Sequence, residues 1–144
     1  MTLVAEFHEA FGTTDPQVPT PPNRARAALR LRLIEEEFKE VRFELRALML
    51  SDEVGTPISD RLTIMARLLK ELCDLQYVLQ GTADSLGLGA VFEQAYHEVH
   101  RSNMSKLDAD GKPIKRESDG KVLKGPLYYP PDMEQFINIF NHEE

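Results

Sequence analysis

NRARAALRLRLIEEEFKEVRFELRALML, residues 23–50, decides the fold. Apolar side chains recur at Ala27, Leu31, Ile34, Phe38, Val41, Leu45 and Leu48, in steps of three and four that draw one stripe along an α-helix. Asn23 is a strong N-cap residue, and Pro21 and Pro22 ahead of it fix an extended approach. The spacing predicts a helix over about 23–50, broken at 51–59 by Gly55 and Pro57. Beyond the break the same period returns: Leu62, Met65, Leu69, Leu72, Leu75 and Leu79 predict a helix over about 60–86, and another is expected over about 89–105. Upstream, Leu3, Phe7, Ala10 and Phe11 form a short amphipathic stretch that stops at Gly12, after which Pro16, Pro19, Pro21 and Pro22 hold a linker open.

After Ser105 the pattern changes. Asp110-Gly111 and Asp119-Gly120 are tight-turn dipeptides, read as a small β-ribbon or an ordered loop, and residues 132–141 are expected to end the chain as a short helix. The fold class is all-α, a bundle of four to five helices with a short basic ribbon or loop near the C-terminus.

A chain of 144 residues makes one domain of ordinary size, so a single domain over 1–144 is expected. Mean hydropathy is −0.37, and no apolar run approaches the roughly 20 residues of a membrane helix. The start, MTLVAE, meets an acidic residue at once and does not read as a secretory signal. One cysteine, Cys73, excludes an internal disulfide framework; it lies in an apolar stretch and is expected in the core, and these features together point to the cytoplasm. A net charge of −7 argues against broad nucleic-acid binding. The charge is segregated: seven basic and four acidic residues give 101–124 a net +3 and leave −10 on the rest. An acidic body with a basic late segment suits a polyanion held between metals and lysines, although a solvated hairpin would look the same.

Glu36, Glu37 and Glu40 lie three and four apart beside the apolar stripe of the long helix. Glu71 and Asp74 repeat the i,i+3 device on the next helix, between Leu72 and Leu75. If the two helices are antiparallel neighbours, these carboxylates converge, and buried carboxylates need cations. An all-oxygen ligand set favours hard ions, magnesium or manganese. A pair of solvated helix faces is the competing reading. A di-iron site would need Glu-x-x-His pairs, and the sequence has none; a phosphate-cradling Gly-x-x-x-x-Gly-Lys loop is also missing.

The pattern Glu36-Glu37-x-x-Glu40 followed by Glu71-x-x-Asp74 resembles the E-E-x-x-E and E-x-x-D signature of the all-α nucleoside triphosphate pyrophosphohydrolases. This MazG-like superfamily also holds dimeric dUTPases and phosphoribosyl-ATP pyrophosphohydrolase. The likeness extends to Phe7-His8-Glu9-Ala10-Phe11 and to residues 100–106, and the long ending is most similar to a dUTP pyrophosphatase branch known from Deinococcus. The resemblance implies cleavage between the α- and β-phosphates of a nucleoside triphosphate, dUTP first, to monophosphate and pyrophosphate. Magnesium, with manganese as substitute and two or more ions per site, would be held by Glu37, Glu40, Glu71 and Asp74, and Glu36 would be a further ligand or the base that positions water. Asn103, Lys106 and Lys121 would reach the nucleotide, with His8 near the base and Phe11 or Tyr77 stacking on it in place of a tryptophan. The same chemistry on dCTP, a damaged nucleotide or phosphoribosyl-ATP is the first alternative, and a non-catalytic metal-stabilised helical module is the second. Two long amphipathic helices carry more apolar stripe than one small bundle covers, which leads to the expectation of a homodimer or dimer of dimers. Residues 106–124 are expected to act as a flap that orders over phosphates.

Overall fold

The computed structural model describes residues 2–138. Its elements are α1 (Leu3–Ala10), α2 (Arg24–Glu53), α3 (Ile58–Ser85), α4 (Gly89–Met104) and α5 (Gln135–Asn138), and no strand occurs among the described residues. The all-α class is therefore correct. No helix among the described residues is long and apolar enough to cross a membrane. The chain divides into two compact units, one ending at Gly89 and one beginning at Ala90.

In the first unit, Asn23 caps α2 as its residue type suggests, its side chain accepting from the Arg26 N–H at 2.9 Å. The helix continues three residues past the expected end, to Glu53, and turns at Gly55, whose φ of +68° suits glycine. α3 then starts two residues earlier than expected: Pro57 stands at the N-cap without a side-chain cap bond, and its carbonyl accepts from the Asp60 and Arg61 N–H groups, both at 3.1 Å. Ion pairs Asp52–Arg61, Glu44–Arg67 and Glu40–Lys70 run in opposite order along the two helices, so α2 and α3 are antiparallel.

The seam between them takes up only part of the stripes that the periodicity singles out: Ile34, Val41, Leu48 and Leu75 of those stripes are buried or half-buried. The half-buried or buried positions include Leu33, Ile34, Glu37, Val41, Glu44, Ala47, Leu48 and Ser51 on α2, and Ile64, Leu68, Glu71, Asp74, Leu75 and Val78 on α3. Leu31, Phe38 and Leu45 of the expected α2 stripe are exposed, as are Leu62, Met65, Leu69 and Leu72 on α3, Leu69 at 64%. Each helix carries two apolar stripes, and hydrophobicity alone does not say which one its own chain covers. Cys73 is also exposed rather than core, because it sits off the α3 seam.

In the second unit the C-terminal segment straps back along α4. The buried Glu98 carboxylate accepts from Arg101 Nε and Nη2, at 2.7 and 2.8 Å, and from the Asp132 N–H at 3.0 Å. Ser102 Oγ donates to the Tyr129 carbonyl at 2.8 Å. The basic segment is an ordered loop with two isolated bridges, Leu107 to Pro113 and Lys115 to Val122. The last helix begins at Gln135 rather than Asp132, whose N–H is taken by Glu98; the expected stretch past 138 lies outside the described residues.

Candidate active site

The seam positions of Glu37 and Glu71 bring carboxylates together. Glu37, Glu71 and Asp74 each offer an oxygen within 4.8 Å of the others. Glu37 Oε2 is sealed from solvent and has no hydrogen-bond partner. Burial first, and the charges of Glu40 and Asp74 next, push the Glu37 carboxyl above its ordinary range. Glu40, on the exposed edge, is raised by its hydrogen bond to Glu71 and then by that residue's charge. Glu36 is exposed and outside the group, since one residue along a helix turns the side chain by about 100°.

A cation already sits among these oxygens. Lys70 Nζ lies 2.8 Å from Asp74 Oδ2, 3.0 Å from Glu71 Oε2 and 3.9 Å from Glu40 Oε2. Hydrogen bonds to Asp74 and then Glu71 lift its ammonium well above the usual range. One layer along the seam, Arg67 Nε donates to Glu44 Oε1 at 2.9 Å, leaving the buried Glu44 Oε2 without a partner. Sequence reasoning missed both Lys70 and Glu44. Lys70 stands one before Glu71 and four before Asp74, and Glu44 four after Glu40, spacings that could have flagged them.

One turn beyond Asp74, Tyr77 joins an exposed aromatic group from α1. The Phe7 and Phe11 rings are 4.2 Å apart, and Phe7 meets Tyr77 edge-on at 5.8 Å. Phe11 is 72% exposed. This is an apolar aromatic group with one polar tip, the Tyr77 hydroxyl, which donates to the Leu3 carbonyl at 3.4 Å.

Residues 4–103 match the family model of phosphoribosyl-ATP pyrophosphohydrolase, a span holding the carboxylates, Lys70 and the three aromatic rings. The chain belongs to that family. Its membership places it in the MazG-like superfamily of nucleotide pyrophosphohydrolases. Among solved structures, a candidate NTP pyrophosphohydrolase from Exiguobacterium sp. 255-15 is similar, at 25% identity over 96% of this chain and 92% of that one, with a TM-score of 0.45. No curated protein matches at a significant level.

For this family member the donor set fits a divalent metal. It is all oxygen, one carboxylate oxygen is held without a partner, and an ammonium is drawn into the same place. His8 faces inward: it is buried and paired with Asp15, whose Oδ1 is sealed and unpartnered. Gly81 leaves it room, since a Cβ there would come within 3.3 Å of His8 Nε2. Arg30 stands nearby with its guanidinium lowered chiefly by burial. In the second unit Lys106 Nζ donates to Asn103 Oδ1 at 2.7 Å, and Lys121 is exposed on its turn.

Proposed function

We propose that this chain is a magnesium-dependent nucleoside triphosphate pyrophosphohydrolase of the cytoplasm, acting first on dUTP. The carrying observation is the convergence of Glu37, Glu71 and Asp74 within 4.8 Å around a partnerless Glu37 oxygen. These three and Glu40 would hold magnesium, or manganese in its place, two or more ions per site. When bound, the metal neutralises phosphate charge and acidifies water. Glu36, exposed at the position before Glu37 on α2, is the residue assigned to take the proton of the attacking water. Water adds to the α-phosphorus, the bond from that atom to the bridging oxygen breaks, and pyrophosphate leaves. Phe7, Phe11 and Tyr77 offer the base a stacking surface. His8, buried on α1 and paired with Asp15, backs that surface, and Asn103, Lys106 and Lys121 are further candidates for nucleotide contact.

A second reading, phosphoribosyl-ATP as substrate, is favoured by the family match itself. Incubation of dUTP, dCTP and phosphoribosyl-ATP with magnesium, followed by pyrophosphate release, separates the two. Cleavage of none of them, with magnesium or manganese, would leave only a structural helical module. The exposed stripes Leu31–Phe38–Leu45 and Leu62–Met65–Leu69 further support self-association as a homodimer or dimer of dimers. Sedimentation at the 16.4 kDa of a single chain at micromolar concentration would count against it.

A further inference from the structure

The Lys70 ammonium touches three carboxylates contributed by two helices, yet its side chain is 62% exposed. Its neighbours Glu71 Oε2 and Asp74 Oδ2 belong to two of the three residues whose oxygens converge. Without a positive charge there, Glu37, Glu40, Glu71 and Asp74 would face one another as like charges, which no other base among the described residues offsets at this level of the seam. An ammonium and a divalent metal compete for such oxygens. A magnesium ion needs them at about 2.0–2.1 Å in near-octahedral order, and a second cation hydrogen-bonded to the same lone pairs opposes that arrangement. Lysine is the residue able to yield: it is a point charge on a flexible four-carbon stem, and this one already reaches solvent.

We propose that Lys70 is a resident counter-ion of the carboxylate group, which holds α2 against α3 in the metal-free protein and is displaced when the metal enters. This rests on the metal reading given above. Lys70 thereby lowers metal affinity and protects the empty seam from its own charge, so affinity for metal and stability without metal are set against each other by one side chain.

The test compares wild type with Lys70→Met, which keeps the stem and removes the charge, and with Lys39→Met. Lys39 makes no ion pair among the described residues and gives the same charge change on α2. Manganese alone is titrated into each metal-free protein and free ion is followed by electron paramagnetic resonance; thermal melts are taken with and without manganese. Lys70→Met should bind manganese roughly 10-fold more tightly, a usual size for coupling between two competing ligands. It should also melt lower than wild type without metal, and manganese should restore it. Lys39→Met should change neither reading more than about 2-fold, below the usual range of such coupling. An unchanged or weaker affinity in Lys70→Met, or an equal gain in Lys39→Met, overturns the proposal while leaving the metal site standing. If neither wild type nor Lys70→Met binds manganese, the metal reading fails and the proposal falls with it.

Discussion

Gly87→Ala should unfold the first unit's corner, and the size of the loss can be worked from contacts. Gly87 has φ +72°, and a Cβ on it would stand 1.8 Å from the Val18 carbonyl oxygen and 2.4 Å from its carbon. That carbonyl cannot retreat freely: it accepts from Thr20 Oγ1 at 2.8 Å, and the Thr20 N–H donates to Leu86 O at 2.9 Å. Left-handed backbone costs a side-chain-bearing residue about 1–2 kcal/mol. Clearing the clash moves the linker by about 1 Å or more and gives up the Thr20 bond, about 1 kcal/mol net, with the contacts around it. The total comes to roughly 2–3 kcal/mol before the lost contacts are counted. Gly12→Ala is the control, because Gly12 has the same φ sign, +71°, and nothing within 4 Å of its Cβ position; it should lose only about 1–2 kcal/mol. Urea unfolding followed by far-UV circular dichroism measures both. Equal losses within about 0.5 kcal/mol would mean that the linker does not press on the corner, and the reasoning about its anchoring would be wrong.

Asp74→Asn should cut magnesium-dependent turnover by about 100-fold or more, while the metal-free melting temperature does not fall. Glu37 and Glu40 sit above their ordinary values, so the metal-free fold loses stability as pH rises above 4.5, and the amide relieves part of that; a variant with normal turnover would remove Asp74 from the site. Glu98 behaves oppositely: Arg101 first and the Asp132 N–H next hold it below 4.5, so its contribution is present above that pH and is lost as pH falls through the depressed value. Glu98→Gln should therefore melt lower than wild type near neutral pH and converge with it in acid, and a gap that persists unchanged there would refute the pairing. Lys106→Ala should raise KM roughly 10-fold with kcat nearly unchanged, measured by initial rates; an unchanged KM would return the side chain to its bond with Asn103 alone.

The carboxylate group was legible because helical period converts spacing into direction. Two i,i+3 pairs on helices long enough to lie side by side are sufficient to bring Glu37, Glu71 and Asp74 together, and they do meet. The same period placed only part of the packed faces: Ile34, Val41, Leu48 and Leu75 are covered, whereas Leu31, Phe38 and Leu45 are not. Leu33 lies about 200° around the helix from Leu31, and Glu37 about 100° from Phe38, and choosing between stripes needs knowledge of what else covers them. Lys70 was invisible for a different reason: a lysine between two leucine-rich turns is an ordinary solvated residue until the partner helix is set beside it. The linker corner at Gly87 joins residues nearly seventy positions apart, a pairing that no local pattern encodes.

The charged rungs of the α2–α3 seam act as an index that fixes where the hairpin closes. Its leucines and valines would accept a slide of one heptad, since apolar layers look alike. Glu44 would not. A slide one way sets it beside Asp74 in place of Arg67, and a slide the other way beside Asp60, so either error stacks two acids in a partly dry seam. Register is thus written into the helices instead of their connection, and the 54–57 turn, Gly55 apart, is free to lengthen or change composition without re-aligning the carboxylates it joins.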